Sequence, residues 1–233
     1  MKIIGMIGGM SWESSIEYYR LTNLAVRQRL GGLHSARSVM VSVDFAEIEA
    51  LQASGQWDAA TAMMVQAARQ VEAGGADFLI ICTNTMHHMA DPVSQAISIP
   101  LLHIADATAE RVLASGINTI GLLGTRYTME EDFYRGRLER IFGLQVLVPD
   151  QNGRELVHRV IYQELVLGEI KQQSRIAYQK VIQELADQGA QGVILGCTEI
   201  GLLVKEGDSP LPLFDTTAIH ARAAVEFAIQ GEV

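Results

Sequence analysis

Short apolar runs alternate along the chain with longer stretches whose apolar residues recur every three or four positions. A run of four to eight apolar residues suits a strand covered on both faces, and the 3.6-residue period suits a helix packed on it. The alternation therefore predicts β-α units around a mainly parallel sheet. Strands are expected at 2–7, 36–43, 77–81, 119–123, 145–148 and 192–195, and helices at 13–30, 57–72, 130–141, 155–167 and 172–188. No low-complexity stretch or linker interrupts the pattern.

The pattern also repeats. Gly75-Ala76-Asp77-Phe78-Leu79-Ile80-Ile81-Cys82-Thr83-Asn84-Thr85 returns 114 residues later as Gly189-Ala190-Gln191-Gly192-Val193-Ile194-Leu195-Gly196-Cys197-Thr198-Glu199. Both are a Gly-Ala turn, an apolar strand and a polar tip. Ile4-Gly5-Met6-Ile7-Gly8 is echoed at an offset of 116 by Ile120-Gly121-Leu122-Leu123-Gly124, and Ile99-Pro100-Leu101-Leu102-His103 at 112 by Leu211-Pro212-Leu213-Phe214-Asp215. Three echoes in the same order predict a duplicated α/β fold: two pseudo-symmetric doubly wound lobes, 1–102 plus 215–233 and 103–214, with a ligand cleft where strand ends converge.

Composition narrows the class. At 233 residues the chain can bury a full core, and 48% hydrophobic with 19% charged residues is ordinary for a globular enzyme. The net charge of −9, with Lys and Arg scattered, argues against nucleic acid or an anionic membrane surface as partner. The opening Met1-Lys2-Ile3-Ile4-Gly5-Met6-Ile7-Gly8-Gly9 has one basic residue and too short an apolar run for a signal peptide or span, so a cytoplasmic protein is expected. Cys82 and Cys197 are the two cysteines. Without C-x-x-C or Cys/His spacing no metal is expected, and in the cytosol no disulfide. Each thiol is then either an inert core residue or a reactive group.

The repeat bears on that choice. It pairs Cys197 with Thr83, and Cys82 with Gly196. Successive strand residues point to opposite faces, so if Thr83 faces the cleft, Cys82 packs into the core. Thr83-Asn84-Thr85 offers hydroxyl and amide groups able to grip a carboxylate. Cys197-Thr198-Glu199 adds a thiol beside an expected helix start, which would lower its pKa towards neutrality. Helix capping by Thr85 and Thr198 is the plainer alternative. The Gly5-x-x-Gly8-Gly9-Met10-Ser11 loop either cradles an anion or is a tight strand-to-helix turn, and it lacks dinucleotide and P-loop spacing. His87, His88, His103 and His220 are candidates for tuning or binding, as is Arg126-Tyr127-Thr128 for substrate contact. Trp12, Tyr18 and Tyr19 are expected to pack a helix on the sheet.

At Gly8-Gly9-Met10-Ser11-Trp12, Thr83-Asn84-Thr85 with His87, and Gly196-Cys197-Thr198-Glu199 the sequence resembles the aspartate/glutamate racemases that use no pyridoxal phosphate. Leu123-Gly124-Thr125-Arg126-Tyr127-Thr128-Met129 and Phe133-Tyr134-Arg135-Gly136-Arg137-Leu138 resemble the bacterial branch described as L-aspartate/glutamate-specific or broad-specificity amino-acid racemases. The resemblance implies an isomerase without cofactor, a small amino-acid substrate and a homodimer. It also implies two groups flanking the substrate Cα, one removing the proton as thiolate and the other delivering one to the opposite face. Family members usually carry Cys-Asn-Thr where this chain has Thr83-Asn84-Thr85, so the implied pair is Cys197 as base and Thr83 as donor, with L-amino acids preferred. Asn84, Thr85 and Thr198 would hold the α-carboxylate, and Met10, Ser11 and Gln52 the remaining groups. Related aspartate racemases carry an Arg after the second strand and a Lys before the last long helix for a distal carboxylate. Here those regions read Asp44-Phe45-Ala46-Glu47 and Glu164-Leu165-Val166-Leu167-Gly168, without a cation. Rival readings are a malonate-type decarboxylase using Cys197 alone and a non-catalytic amino-acid binding protein.

Overall fold

The structure, a computed structural model, describes residues 1–230; the last three positions of the expected first lobe, 231–233, lie outside the described residues. The chain divides into two compact units, Met1–Ile104 with the segment from His220 onward, and Ala105–Ile219.

Unit 1 runs β1 (Ile4–Gly8), α1 (Trp12–Leu30), β2 (Ser38–Ser42), α2 (Phe45–Ala53), α3 (Trp57–Ala73), β3 (Phe78–Ile81), a 3-10 turn (Thr85–Met89) and α4 (Ala90–Gln95). Its sheet is parallel with order β2-β1-β3, and Leu101 adds a single parallel bridge beside Leu79. Alternation along the strands feeds two apolar layers. Ile4, Met6, Phe78, Ile80 and Cys82 pack with Tyr18 and Val26 of α1, and with Ala221, Ala224 and Val225 of the last helix. Ile7, Leu79 and Ile81 pack instead on Ile48 of α2 and on Ala60, Met64, Ala68 and Val71 of α3. Gly5 permits that closeness, since a Cβ there would sit 2.7 Å from the Phe78 carbonyl.

Unit 2 is built from α5 (Ile104–Ala114), β4 (Thr119–Gly124), α6 (Arg126–Glu130), α7 (Arg135–Phe142), β5 (Gln145–Leu147), α8 (Gln151–Gln163), α9 (Gln172–Asp187), β6 (Val193–Gly196), α10 (Ile200–Leu203) and β7 (Leu213–Asp215), which leads into α11 (Thr216–Ile229). Its sheet is also parallel, ordered β5-β4-β6-β7. Leu101 stands to β3 as β7 stands to β6, so both halves share one strand order.

Several expected elements shift. The helix anticipated at 130–141 is two helices, α6 and α7, because Glu131 is extended (φ −88°, ψ 156°). α8 starts at Gln151, earlier than expected, because Asp150 caps it by accepting the Gly153 N–H at 2.8 Å. Trp12 and Tyr19, expected to pack α1 on the sheet, are 62% and 56% exposed, while Tyr18 is fully buried. Neighbours on a helix point about 100° apart, so Tyr18 and Tyr19 cannot share a face. Among the described residues no helix is long and apolar enough to cross a membrane.

Candidate active site

At the tip of β3 the pleat separates two adjacent residues. The Cys82 N–H still donates to the Ile7 carbonyl at 2.9 Å, and its side chain lies fully buried on the face of Phe78 and Ile80. That burial alone pushes the thiol far above the ordinary cysteine range, so Cys82 is an inert core group. Thr83 is half-buried just beyond the strand, followed by buried Asn84 and Thr85. Neither residue 84 nor the turn it opens has a side-chain cap bond.

His87 fixes this tip through the backbone. Its Nδ1 lies 2.8 Å from the Thr83 carbonyl, which can only accept, and its Nε2 lies 3.2 Å from the Ile104 N–H, which can only donate. The neutral tautomer with the proton on Nδ1 satisfies both partners. The ring of His103 lies 4.5 Å away and that of His220 5.9 Å. His220 in turn is held at 2.9 Å by both the Tyr18 hydroxyl and the Leu102 carbonyl. His88 stacks on Trp57 at 4.4 Å.

The glycine loop after β1 is internally tied. Gly9 has φ +94° and packs against the Val43 backbone, a place no Cβ fits. Its N–H donates to the Ser15 hydroxyl at 2.7 Å, and Ser11 caps α1 while its carbonyl accepts the Ser14 and Ser15 hydroxyls at 2.9 Å. Ser15, which the sequence does not single out, thus accepts the Gly9 N–H that an anion would have accepted at this turn, while Ser14 and Ser15 both donate to the Ser11 carbonyl. Met10 is buried in the apolar layer beneath, and Gln52 is buried with its amide donating to the Met86 sulfur at 3.7 Å.

At the tip of β6, Gly196 lies so near the Leu123 carbonyl that a Cβ would come within 2.8 Å. Cys197 follows at 9% exposure. Its thiol donates to Glu199 Oε2 at 3.0 Å, and the Thr198 hydroxyl donates to the same oxygen at 2.7 Å. Thr198 therefore serves the carboxylate and not a helix cap. Burial first, then the charge and hydrogen bond of Glu199, push the Cys197 thiol well above its ordinary range, outweighing nearby backbone N–H groups. The expected drop towards neutrality is thereby corrected: α10 is one four-residue turn, and a carboxylate stands against the sulfur. Two unit charges about 4 Å apart repel by about 4 kcal/mol at an effective dielectric of about 20, so thiolate and carboxylate do not readily coexist here. Tyr178 of α9, also electrostatically coupled to this thiol, is kept neutral by burial and donates to the Val157 carbonyl at 3.0 Å.

The sequence names Glu199 as part of a motif without giving it a role. Its near-complete burial with two donors on one oxygen is what marks it. The Arg126-Tyr127-Thr128 segment forms the start of α6, where Thr125 caps the helix through the Thr128 N–H and the Arg126 N–H donates to His158 Nδ1. Of the two stretches without a cation of their own, Asp44 caps α2, and Glu164 accepts the Ser174 hydroxyl at 2.6 Å and pairs with Lys171 Nζ at 3.7 Å. Among the described residues no three His, Cys, Asp or Glu side chains gather as a metal site would need.

The sequence pattern of the Asp/Glu/hydantoin racemases matches residues 7–224. The chain belongs to this family. Its enzyme class is accordingly that of an isomerase, an amino-acid racemase. It is 26% identical to the broad-specificity amino-acid racemase RacX of Bacillus subtilis over 70% of this chain and 69% of that one. A candidate Asp/Glu racemase from Yersinia pestis shares 56% identity and a TM-score of 0.92, covering 99% of this chain and 100% of that one. An aspartate racemase homologue from Pyrococcus horikoshii shares 34% identity and a TM-score of 0.83 over the same shares of the two chains. Arylmalonate decarboxylase, at 11% identity and a TM-score of 0.54 over 99% of this chain and 94% of that one, is similar in fold alone.

Proposed function

We propose that the chain racemises L-aspartate, L-glutamate or a broader set of amino acids through an unequal acid/base pair, Thr83 and Cys197, without a cofactor. The observation carrying this reading is positional. Thr83 and Cys197 pair in the sequence repeat, and each follows closely on the end of a parallel strand, β3 and β6 respectively, whereas Cys82 is sealed in the core.

In the L-to-D direction the Cys197 thiolate removes the Cα proton, the electron pair spreads into the α-carboxylate, and the Thr83 hydroxyl delivers a proton to the opposite face. Solvent then returns a proton to Thr83 and takes one from the cysteine side. Asn84 and Thr85 supply donors for the α-carboxylate, Thr198 lines its place with a hydroxyl whose one proton goes to Glu199, and Met10, Ser11 and Gln52 contact the rest of the substrate. Lacking cations where related aspartate racemases have them, the site would meet a distal carboxylate with neutral donors such as Gln52. The same reading places the enzyme in the cytoplasm as a homodimer without nucleic-acid partners.

Exchange of the α-proton with solvent deuterium across a panel of L- and D-amino acids tests this. The expected result is deuterium uptake and inversion without CO2 release. Decarboxylation of a malonate, or ligand-protected thiol alkylation without any turnover, would replace the racemase reading.

A further inference from the structure

Cys197 poses a difficulty that its neighbour resolves. To act as a base it must be a thiolate, yet the group it touches is a buried carboxylate. Exporting the thiol proton to water would leave two adjacent negative charges on two buried side chains. Passing the proton along the existing 3.0 Å hydrogen bond leaves one.

We propose that Glu199 is the proton-holding partner of Cys197: it takes the Sγ proton when the thiol becomes a base and returns it when the thiol becomes an acid. The proposal rests on the racemase reading and deepens it. In the first step the S–H bond breaks and an O–H bond forms on Glu199 Oε2, so the pair keeps a single negative charge, now on sulfur. The thiolate then takes the substrate Cα proton, leaving a thiol beside a carboxylic acid. After Thr83 has protonated the opposite face, the pair loses one proton to water and Thr83 regains one, which restores the starting state. No oxidant, metal or further reactant enters.

The second donor on the same oxygen fits this role. The Thr198 hydroxyl, 2.7 Å from Oε2, holds the carboxylate in line with the sulfur in both protonation states. Tyr178, the other titratable group coupled to this thiol, is engaged with the Val157 carbonyl and leaves Glu199 as the acceptor. Glu199 is thus a positioning residue that acts through Cys197.

The test compares the full-length enzyme with its Glu199→Gln and Glu199→Asp variants. It reads kcat and KM for both enantiomers and the rate at which iodoacetamide alkylates Cys197 near neutral pH, located by peptide mass. Glutamine keeps the size and an acceptor oxygen but can neither repel a thiolate nor take its proton. In Glu199→Gln, alkylation should therefore rise about tenfold or more while kcat falls about 100-fold with KM within about threefold, the size expected of a lost acid/base relay. Glu199→Asp should recover part of kcat. A merely structural carboxylate would lower both readouts together. Wild-type kcat in Glu199→Gln, or unchanged or slower alkylation, overturns the proposal. If the wild-type enzyme exchanges no α-proton with any amino acid, the racemase reading fails by itself, and the alkylation comparison still decides whether Glu199 governs this thiol.

Discussion

The tips of β3 and β6 stand at matching places in the repeat, yet they are held in opposite ways. In unit 1 an imidazole grips the backbone: His87 bonds the Thr83 carbonyl. In unit 2 a carboxylate grips the side chain itself, since Glu199 accepts directly from the Cys197 thiol. Damage to His87 should therefore be felt first as lost order, and damage to Glu199 first as lost chemistry. A duplicated scaffold can keep its strand order while its two tips diverge, one carrying a hydroxyl at Thr83 and the other a thiol bonded to a carboxylate.

The sharpest way to break this contrast is to remove the thiol. Cys197→Ala should cost at least about 1,000-fold in kcat, read by chiral chromatography, with thermal unfolding nearly unchanged, the range for deleting an acid/base group. Thr83→Ala should lose less, about 100-fold, since the weaker member of the pair contributes less and water can substitute for a hydroxyl donor. Thr83→Cys should turn the pair into matched thiols and bring the two enantiomers' kcat values together.

His87→Leu strands the Thr83 carbonyl and the Ile104 N–H, so urea unfolding should show a loss of about 2–4 kcal/mol. A loss of kcat without this destabilisation would instead make His87 a participant in proton transfer. The smallest effect is expected at Cys82→Ala, which leaves turnover intact and lowers stability by about 1 kcal/mol for the small void it opens in the apolar layer. Inactivation by Cys82→Ala with a fully active Cys197→Ala would reverse the assignment of the two thiols.

The repeat was legible because its strands are buried on both faces and therefore read as unbroken apolar runs, as at Phe78–Ile81 and Val193–Gly196. β7 was legible as an echo but not as a strand: three residues after Pro212 carry too little pattern. α2, α4 and α10 are short, so their periodicity never completes, and the alanines of α11 blur its apolar stripe although Arg222 and Glu226, four apart, mark an exposed face. The choice between Cys82 and Thr83 could be posed from the pleat alone, and the buried position of Cys82 is consistent with it. The protonation of Cys197 could not be foreseen, because it depends on where the Glu199 side chain turns, and a turn of one residue decides whether that carboxylate faces solvent or sulfur. The internal ties of the glycine loop were hidden for the same reason, since two serine hydroxyls and not the glycines satisfy it.

The central claim is the inequality of Thr83 and Cys197, and kcat/KM cannot test it. Enantiomers are equal in free energy, so detailed balance makes that ratio the same in both directions however unequal the two groups are. The direct measurement is to start from pure L- or pure D-substrate in D2O and follow deuterium in the recovered substrate and in the inverted product separately. An unequal pair predicts that recovered L-substrate gains deuterium faster than D-product forms, because the Cys197–Glu199 pair returns an exchanged proton more readily than Thr83 supplies one. Recovered D-substrate should stay nearly unlabelled while L-product accumulates. Equal label in the two recovered substrates would contradict the account and point to a matched pair.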